Sequence, residues 1–245
     1  MSEIIKTEAV VLSKINYGDS SIIASLYSKD SGKMSVILKG GRSPKSKMGM
    51  MVDPLNHLEI VFYKKESRDV QILSGAEIIA HFHHLKEDLE RLKYSYAVIE
   101  LVKNLSPENE PNVKIFKGIV RILSLFDSSN ERPEILFGRF FLFFIEEVGY
   151  ELQLFKCSVC GKDDLINKNL GYNYDRGLLC ENCKTENINN CEINPELFDY
   201  LHCLKTNKSI QSANNITIKN ASNFFENYLK YHIPDFKGIQ SFKAF

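Results

Sequence analysis

Apolar and polar residues alternate through the first eighty positions in five short runs: Ile4–Lys14, Ser21–Ser28, Lys33–Leu38, Leu55–Lys64 and Asp69–Ile79. A period of two sends one face of each run to a core and the other to water, so the pattern predicts β-strands. Tyr17-Gly18-Asp19 and Asp30-Ser31-Gly32 supply the first two turns. The connection from Lys39 to Pro54 is long for a hairpin and is broken by Gly40-Gly41, Pro44 and Gly49. Five strands with a longer link after the third predict an OB-type barrel.

Beyond position 80 the period changes to about 3.6. Leu85, Leu89, Leu92, Tyr96, Ile99 and Val102 share one face of a helix that reaches about Leu105, where Pro107 follows. A second helix is expected from Val113 to Phe126 and a third from Pro133 to Val148, with Gly149 past its end. The third carries Phe137, Phe140, Phe141, Leu142, Phe143 and Phe144 and is apolar nearly all round, as befits the centre of a helical bundle. Pro195–Leu204 and Ala221–His232 repeat the helical spacing and are expected to close the same bundle. The expected fold class is α+β: an N-terminal five-stranded OB-type β-barrel over 1–80, then an α-helical domain over 81–245. A zinc-ribbon-like module is inserted in the latter at about 152–191.

Two four-residue turns define that module. Cys157-Ser-Val-Cys160 and Cys180-Glu-Asn-Cys183 are C-x-x-C knuckles, and the stretch between them, Leu170–Leu179 with Gly171 and Gly177, reads as a hairpin that folds the second knuckle back on the first. Four thiolates at about 2.3 Å complete a tetrahedron around one zinc ion and leave no open position, so the metal is expected to be structural. In a reducing compartment, paired cysteines of this spacing are metal ligands rather than disulfides. Cys191 and Cys203 read as spare thiols, and His81, His83 and His84 as a solvated or capping cluster.

The formal net charge is zero, so any nucleic-acid affinity must come from where charges sit. From Ser31 to Val52 there is no acidic residue, while Lys33, Lys39, Arg42, Lys45 and Lys47 gather on the third strand and its following loop. This is either a solvated loop or a groove that tracks phosphates. The second reading is favoured by the place of the loop on an OB-type barrel, by Gly40-Gly41, which lets backbone amides approach phosphates, and by Tyr17, Phe62 and Tyr63 as stacking surfaces. Alternation sends Phe62 and Tyr63 to opposite faces, so one of them belongs to the core.

Catalytic patterns are missing from the chain. Tyr27 stands where a P-loop ending in Gly32-Lys33 needs a glycine, and no H-E-x-x-H, G-x-S-x-G or dinucleotide fingerprint occurs. The expectation is a non-enzyme, against two rivals: an enzyme with a zinc-ribbon accessory domain, and an adaptor that binds only protein. The apolar run Phe140–Ile145 is bounded by Arg139 and Glu146-Glu147, far short of the roughly 20 residues that cross a bilayer. Met1 to Lys14 lacks the basic start and apolar core of a signal peptide, so the protein is expected to stay where it is made.

Several segments together resemble the RecO recombination mediators of bacterial DNA repair. They are Thr7-Glu8-Ala9-Val10-Val11-Leu12, Tyr17-Gly18-Asp19, Gly32-Lys33-Met34-Ser35, Lys39 to Ser46, Gly149-Tyr150, the knuckle ending in Gly161, and Arg176-Gly177-Leu178-Leu179-Cys180. The resemblance implies binding of single- and double-stranded DNA, annealing of complementary strands, and help in loading the RecA recombinase. It implies as partners RecR and the acidic C-terminal tail of single-stranded DNA-binding protein, and a cytoplasmic, nucleoid-associated chain that is monomeric alone. DNA contacts map onto Lys39, Arg42, Lys45 and Lys47, with Lys33 beside them, and the partner-tail site maps onto Arg139. The ending Tyr231-His232-Ile233-Pro234 and Lys237-Gly238 departs from the family pattern.

Overall fold

The computed structural model describes residues 2–185, 188–210 and 213–244. Strands β1 (Glu3–Tyr17), β2 (Ser21–Ser28), β3 (Gly32–Leu38), β4 (His57–Lys64) and β5 (Val70–Ala80) close into a barrel in the order β1-β2-β3-β5-β4. Within the barrel β3 and β5 pair in parallel and the other neighbouring strands antiparallel. β1 serves two neighbours: its first half pairs with β4 and its second with β2, and a bulge between Val11 and Ser13 lets it bend from one to the other. Ala9, Val11, Leu26, Met34, Val36, Leu58, Ile60, Phe62 and Leu73 fill the interior. This is the architecture that the alternating pattern predicts.

A short helix α1 (Lys47–Met51) interrupts the connection between β3 and β4. The helix read from Leu85 to Leu105 is two helices, α2 (His83–Glu87) and α3 (Leu89–Leu105). Asp88 breaks it: its backbone is extended, and its carboxylate accepts from the N–H groups of Glu90 and Arg91. Asn112 caps α4 (Val113–Ser128) in the same way. No described helix is long and apolar enough to cross a membrane.

Packing divides the chain into two compact units, Met1–Pro133 with Ser241–Phe245, and Glu134–Gln240. In the first, α3 and α4 pack against β1 of the barrel. In the second, α5 (Pro133–Glu147) is the buried centre, with Phe141 stacked on Phe225 at 4.1 Å. Around it lie strands β6 (Leu170–Asn173), β7 (Gly177–Leu179) and β8 (Cys191–Ile193), and helices α6 (Pro195–Lys205) and α7 (Asn215–His232). α7 begins six residues before the apolar spacing suggests, because the Asn214 side chain accepts from the Thr217 N–H.

The last described residues form α8 (Ser241–Ala244) and rejoin the first unit. The Ser241 N–H and hydroxyl donate to the Glu100 carboxylate at 2.9 and 2.5 Å, and Phe242 meets the Tyr94 ring edge-on. This clasp adds a second covered face to α3, whose Tyr94, Ala97, Val98 and Leu101 are buried while Leu89 is exposed.

Candidate nucleic-acid interface and metal centre

The loop after β3 is held at both ends. At its start the Gly41 N–H turns inward to the Leu38 carbonyl, and the Arg42 N–H donates to the Ser20 carbonyl at 3.0 Å. Gly40, at φ +69°, is in the left-handed region that a turn requires here. At its end the Ser46 hydroxyl accepts from the Gly49 N–H and starts α1. Gly49 lies so close to the Gly41 carbonyl that any side chain there would run into it. The loop is therefore a folded element fastened to the β1–β2 turn, rather than a free tether. Of the two glycine amides expected to face phosphate, that of Gly41 is already used within the turn.

On this element Lys39, Arg42, Lys45 and Lys47 are all exposed. Arg42 donates one N–H to the Gly18 carbonyl at 2.7 Å and keeps further donors of its fork for another acceptor. Among the described residues no carboxylate pairs with these four cations. Three lysines elsewhere on the barrel are paired: Lys6 with Glu59 at 2.7 Å, Lys14 with Asp53 at 2.8 Å and Lys29 with Glu8 at 2.9 Å.

Lys33 differs from its expected companions. Its side chain is only 11% exposed, and its ammonium donates to the Lys103 carbonyl at 2.8 Å and pairs with Glu108 at 3.3 Å. Alternation along β3 aims Lys33 outward, but the α3–α4 connection covers that side. Gly32, at φ +68°, presses on the Glu110 carbonyl, and the Asn109 N–H donates to the Lys33 carbonyl. Lys33 is thus an anchor of the β2–β3 turn and is not available to DNA. Of the three aromatics, Phe62 is fully buried, while Tyr17 and Tyr63 are exposed.

The four cysteine sulfurs lie within 4.8 Å of one another. In the first knuckle the Gly161 N–H donates to the Cys157 carbonyl, and in the second the Cys183 N–H donates to the Cys180 carbonyl, both at 2.9 Å. β6 and β7 pair antiparallel from Gly171–Leu179 to Asn173–Gly177, which returns the second knuckle to the first. Ser158 locks them together, since its N–H and its hydroxyl both donate to the Leu178 carbonyl. The Cys160 and Cys180 sulfurs are 3.8 Å apart. A tetrahedron with bonds of 2.3 Å has edges of about 3.8 Å, so the spacing fits one metal ion bound by four thiolates.

The electrostatics agree with that fit. Burial pushes the Cys157 thiol up, but the backbone N–H groups of Cys160, Cys180 and Val159 outweigh it and bring the group down to about 6. Cys183 is pushed up to about 12, first by hydrogen bonds with the Cys180 and Cys160 sulfurs and then by burial. One thiolate is favoured and its neighbour opposed, a conflict that a divalent cation between the sulfurs removes.

Residues 1–82 match the family model described as Recombination protein O N terminal, and residues 86–238 the one described as Recombination protein O C terminal. The chain belongs to the recombination protein O family. A DNA repair protein RecO of Chlorobium limicola is 37% identical over 159 residues, 65% of this chain and 61% of that relative, so the match spans less than two thirds of its length. One of Chlorobium phaeobacteroides is 34% identical over 177 residues, 72% of this chain and 67% of the relative. One of Chloroherpeton thalassium is 26% identical over 253 residues, covering 98% and 97%.

Two further features of this RecO-family chain bear on function. Arg139, in α5, is half-buried and donates to the Lys208 carbonyl at 3.0 Å, so part of its guanidinium is committed within its own unit. The β4–β5 turn was not singled out by sequence reasoning. It exposes Lys64, Lys65 and Arg68 and is shaped by the Gln71 amide, which bonds the backbone of Lys65 and Arg68. Glu66 and Asp69 in the same turn disguise it as an ordinary solvated hairpin.

Proposed function

We propose that this chain is a non-catalytic recombination mediator in DNA repair. It binds single- and double-stranded DNA through Lys39, Arg42, Lys45 and Lys47 and anneals complementary strands. It acts with RecR and with single-stranded DNA-binding protein, whose acidic tail meets the helical unit near Arg139, to promote RecA loading. The observation that carries this reading is a contrast in pairing on one barrel: Lys6, Lys14 and Lys29 are neutralised by carboxylates, and the four loop cations are not. Unpaired cations on a fixed loop are suited to phosphates, because each contact releases condensed counterions from the strand. Two bound strands lose much of their mutual repulsion, so complementary bases can pair without any bond being made or broken. The family to which the chain belongs and the names of its relatives support the same reading.

The cysteine centre is proposed to hold one zinc ion through Cys157, Cys160, Cys180 and Cys183, with the role of fixing the two knuckles. With four thiolates in place the ion offers no position to water or substrate.

Titrating labelled single-stranded and duplex oligonucleotides with the protein in magnesium should retard both and shorten neither. Cleavage that disappears on an acidic-to-alanine change would overturn the reading in favour of an enzyme. Retardation of neither, with binding of the acidic tail intact, would leave a protein-only adaptor.

A further inference from the structure

The four clustered cysteines are unequal in exposure. Cys157 and Cys180, the first of each pair, are 1% and 4% exposed, whereas Cys160 is exposed and Cys183 half-buried. The Cys157 sulfur is further sheathed by the backbone N–H groups of Cys160, Cys180 and Val159. The first knuckle therefore turns one sulfur to solvent and keeps the other under amides. Gly161, which follows Cys160 at φ +75°, has open space where a side chain would stand, so this turn has room to shift.

Across the centre, the Cys160 sulfur lies 3.8 Å from that of Cys180 in the other knuckle. A small oxidant reaches Cys160 from the solvent side and leaves its oxygen on that side. Displacing the oxygen takes a second thiolate on the opposite face of the same sulfur, in line with the S–O bond. Cys183 is itself near the surface, and the Cys157 sulfur is engaged by three amides, which damp its reactivity. Buried Cys180 is the sulfur placed to attack from within.

We propose that the cysteine centre is an oxidation site for hydrogen peroxide, at which Cys160 reacts first and then bonds to Cys180, releasing the ion. The proposal rests on the zinc reading above and adds what opens the centre. The Cys160 thiolate attacks one peroxide oxygen, the O–O bond breaks, and with one proton a sulfenic acid and a water form. The Cys180 thiolate then attacks that sulfur, the S–O bond breaks, and a second proton carries the oxygen away as water. Each sulfur gives up one electron, peroxide takes up two, and zinc keeps its charge. Cys157 and Cys183 alone make half a tetrahedron, too few ligands to retain the ion. The new bond joins the same two knuckles that the ion joined, and a thiol reductant reverses it.

The test uses the full wild-type chain, reduced and then freed of reductant, with its zinc content measured first. Hydrogen peroxide should release the zinc to a colorimetric chelator too weak to strip the reduced chain, and maps of unreduced peptides should show Cys160 bonded to Cys180. A sulfenic-acid trap present during a brief exposure should mark Cys160 at least about tenfold more than Cys157 or Cys180. Dithiothreitol with added zinc should restore the metal content. Zinc kept under peroxide, another pairing among the cysteines, first marking of a buried cysteine, or a loss that reductant does not reverse would overturn this proposal and leave the zinc reading standing. A reduced chain that neither carries nor takes up zinc would overturn the zinc reading as well.

Discussion

Replacing Cys157 and Cys180 together with Ser, or stripping the metal with a strong chelator, should melt the cysteine knuckles and leave the barrel folded. Cys157 and Cys180 are the two buried members of the four, and their sulfurs receive the contacts that join the knuckles, including the Cys180 N–H to the Cys157 sulfur at 3.4 Å. Residues 155–169 have no regular secondary structure, so an ion bound by the four cysteines would supply much of their order. Sites of this kind carry roughly 10–16 kcal/mol of apparent binding energy at neutral pH, more than such a stretch gains by itself. The module is not wholly dependent on the ion, however. Leu152, Leu154, Leu165, Leu170, Leu178 and Leu179 are buried, and Tyr172 and Tyr174 pack on Phe224 and Tyr228 of α7.

The expected loss is accordingly graded. In hydrogen exchange followed by mass spectrometry, amides of 155–169 and 180–185 should lose protection on metal removal. Those of 170–179 should keep part of theirs, and those of the barrel all of it. Metal analysis of the untreated protein should give about one zinc per chain. Knuckles that stay protected after complete metal removal would show that the leucine and tyrosine contacts suffice.

Replacing Lys39, Arg42 and Lys45 together with Ala should weaken DNA binding and flatten its dependence on salt. Each lost phosphate contact lowers the slope of log K against log salt by about 0.7 on a single strand and about 0.9 on a duplex. Three contacts thus remove roughly 2 from the single-strand slope. The side chains are exposed and unpaired among the described residues, apart from the Arg42 contact with Gly18, so the thermal midpoint should shift little. Lys33→Ala gives the contrast. It should lower stability by leaving the Lys103 carbonyl and Glu108 without their cation, and leave the slope unchanged. A triple variant with the wild-type slope would remove the loop from the interface.

The difference between Lys33 and Lys39 shows what a sequence can and cannot carry. Alternation places both on the outside of the barrel, and it is right for both. What covers the Lys33 side is a loop some seventy residues later, brought in by the packing of α3 and α4, and no local pattern records that. The same limit hid α1, five residues with Gly49 at their centre, whose helix depends on the Ser46 cap and on contact with Gly41. It also hid the second buried face of α3, which exists because Phe242 returns to it.

Other features were legible because their causes are local. The clustering of the four cysteines follows from two C-x-x-C turns and the hairpin between them, and Phe62 against Tyr63 from a period of two. The Asp88 break was legible in principle, since an aspartate ahead of Leu89 and Glu90 is a helix-start signal, but the apolar spacing runs through it.

The central claim is that the cations of one loop allow two strands to approach. Mixing complementary labelled strands with the wild-type chain and with the Lys39, Arg42 and Lys45 triple variant tests it most directly, with and without single-stranded DNA-binding protein coating the strands. The account predicts duplex formation well above the protein-free rate with the wild-type chain in both conditions, and a rate close to the protein-free one with the variant. Annealing by the variant as fast as by the wild-type chain, or none by either, would contradict it.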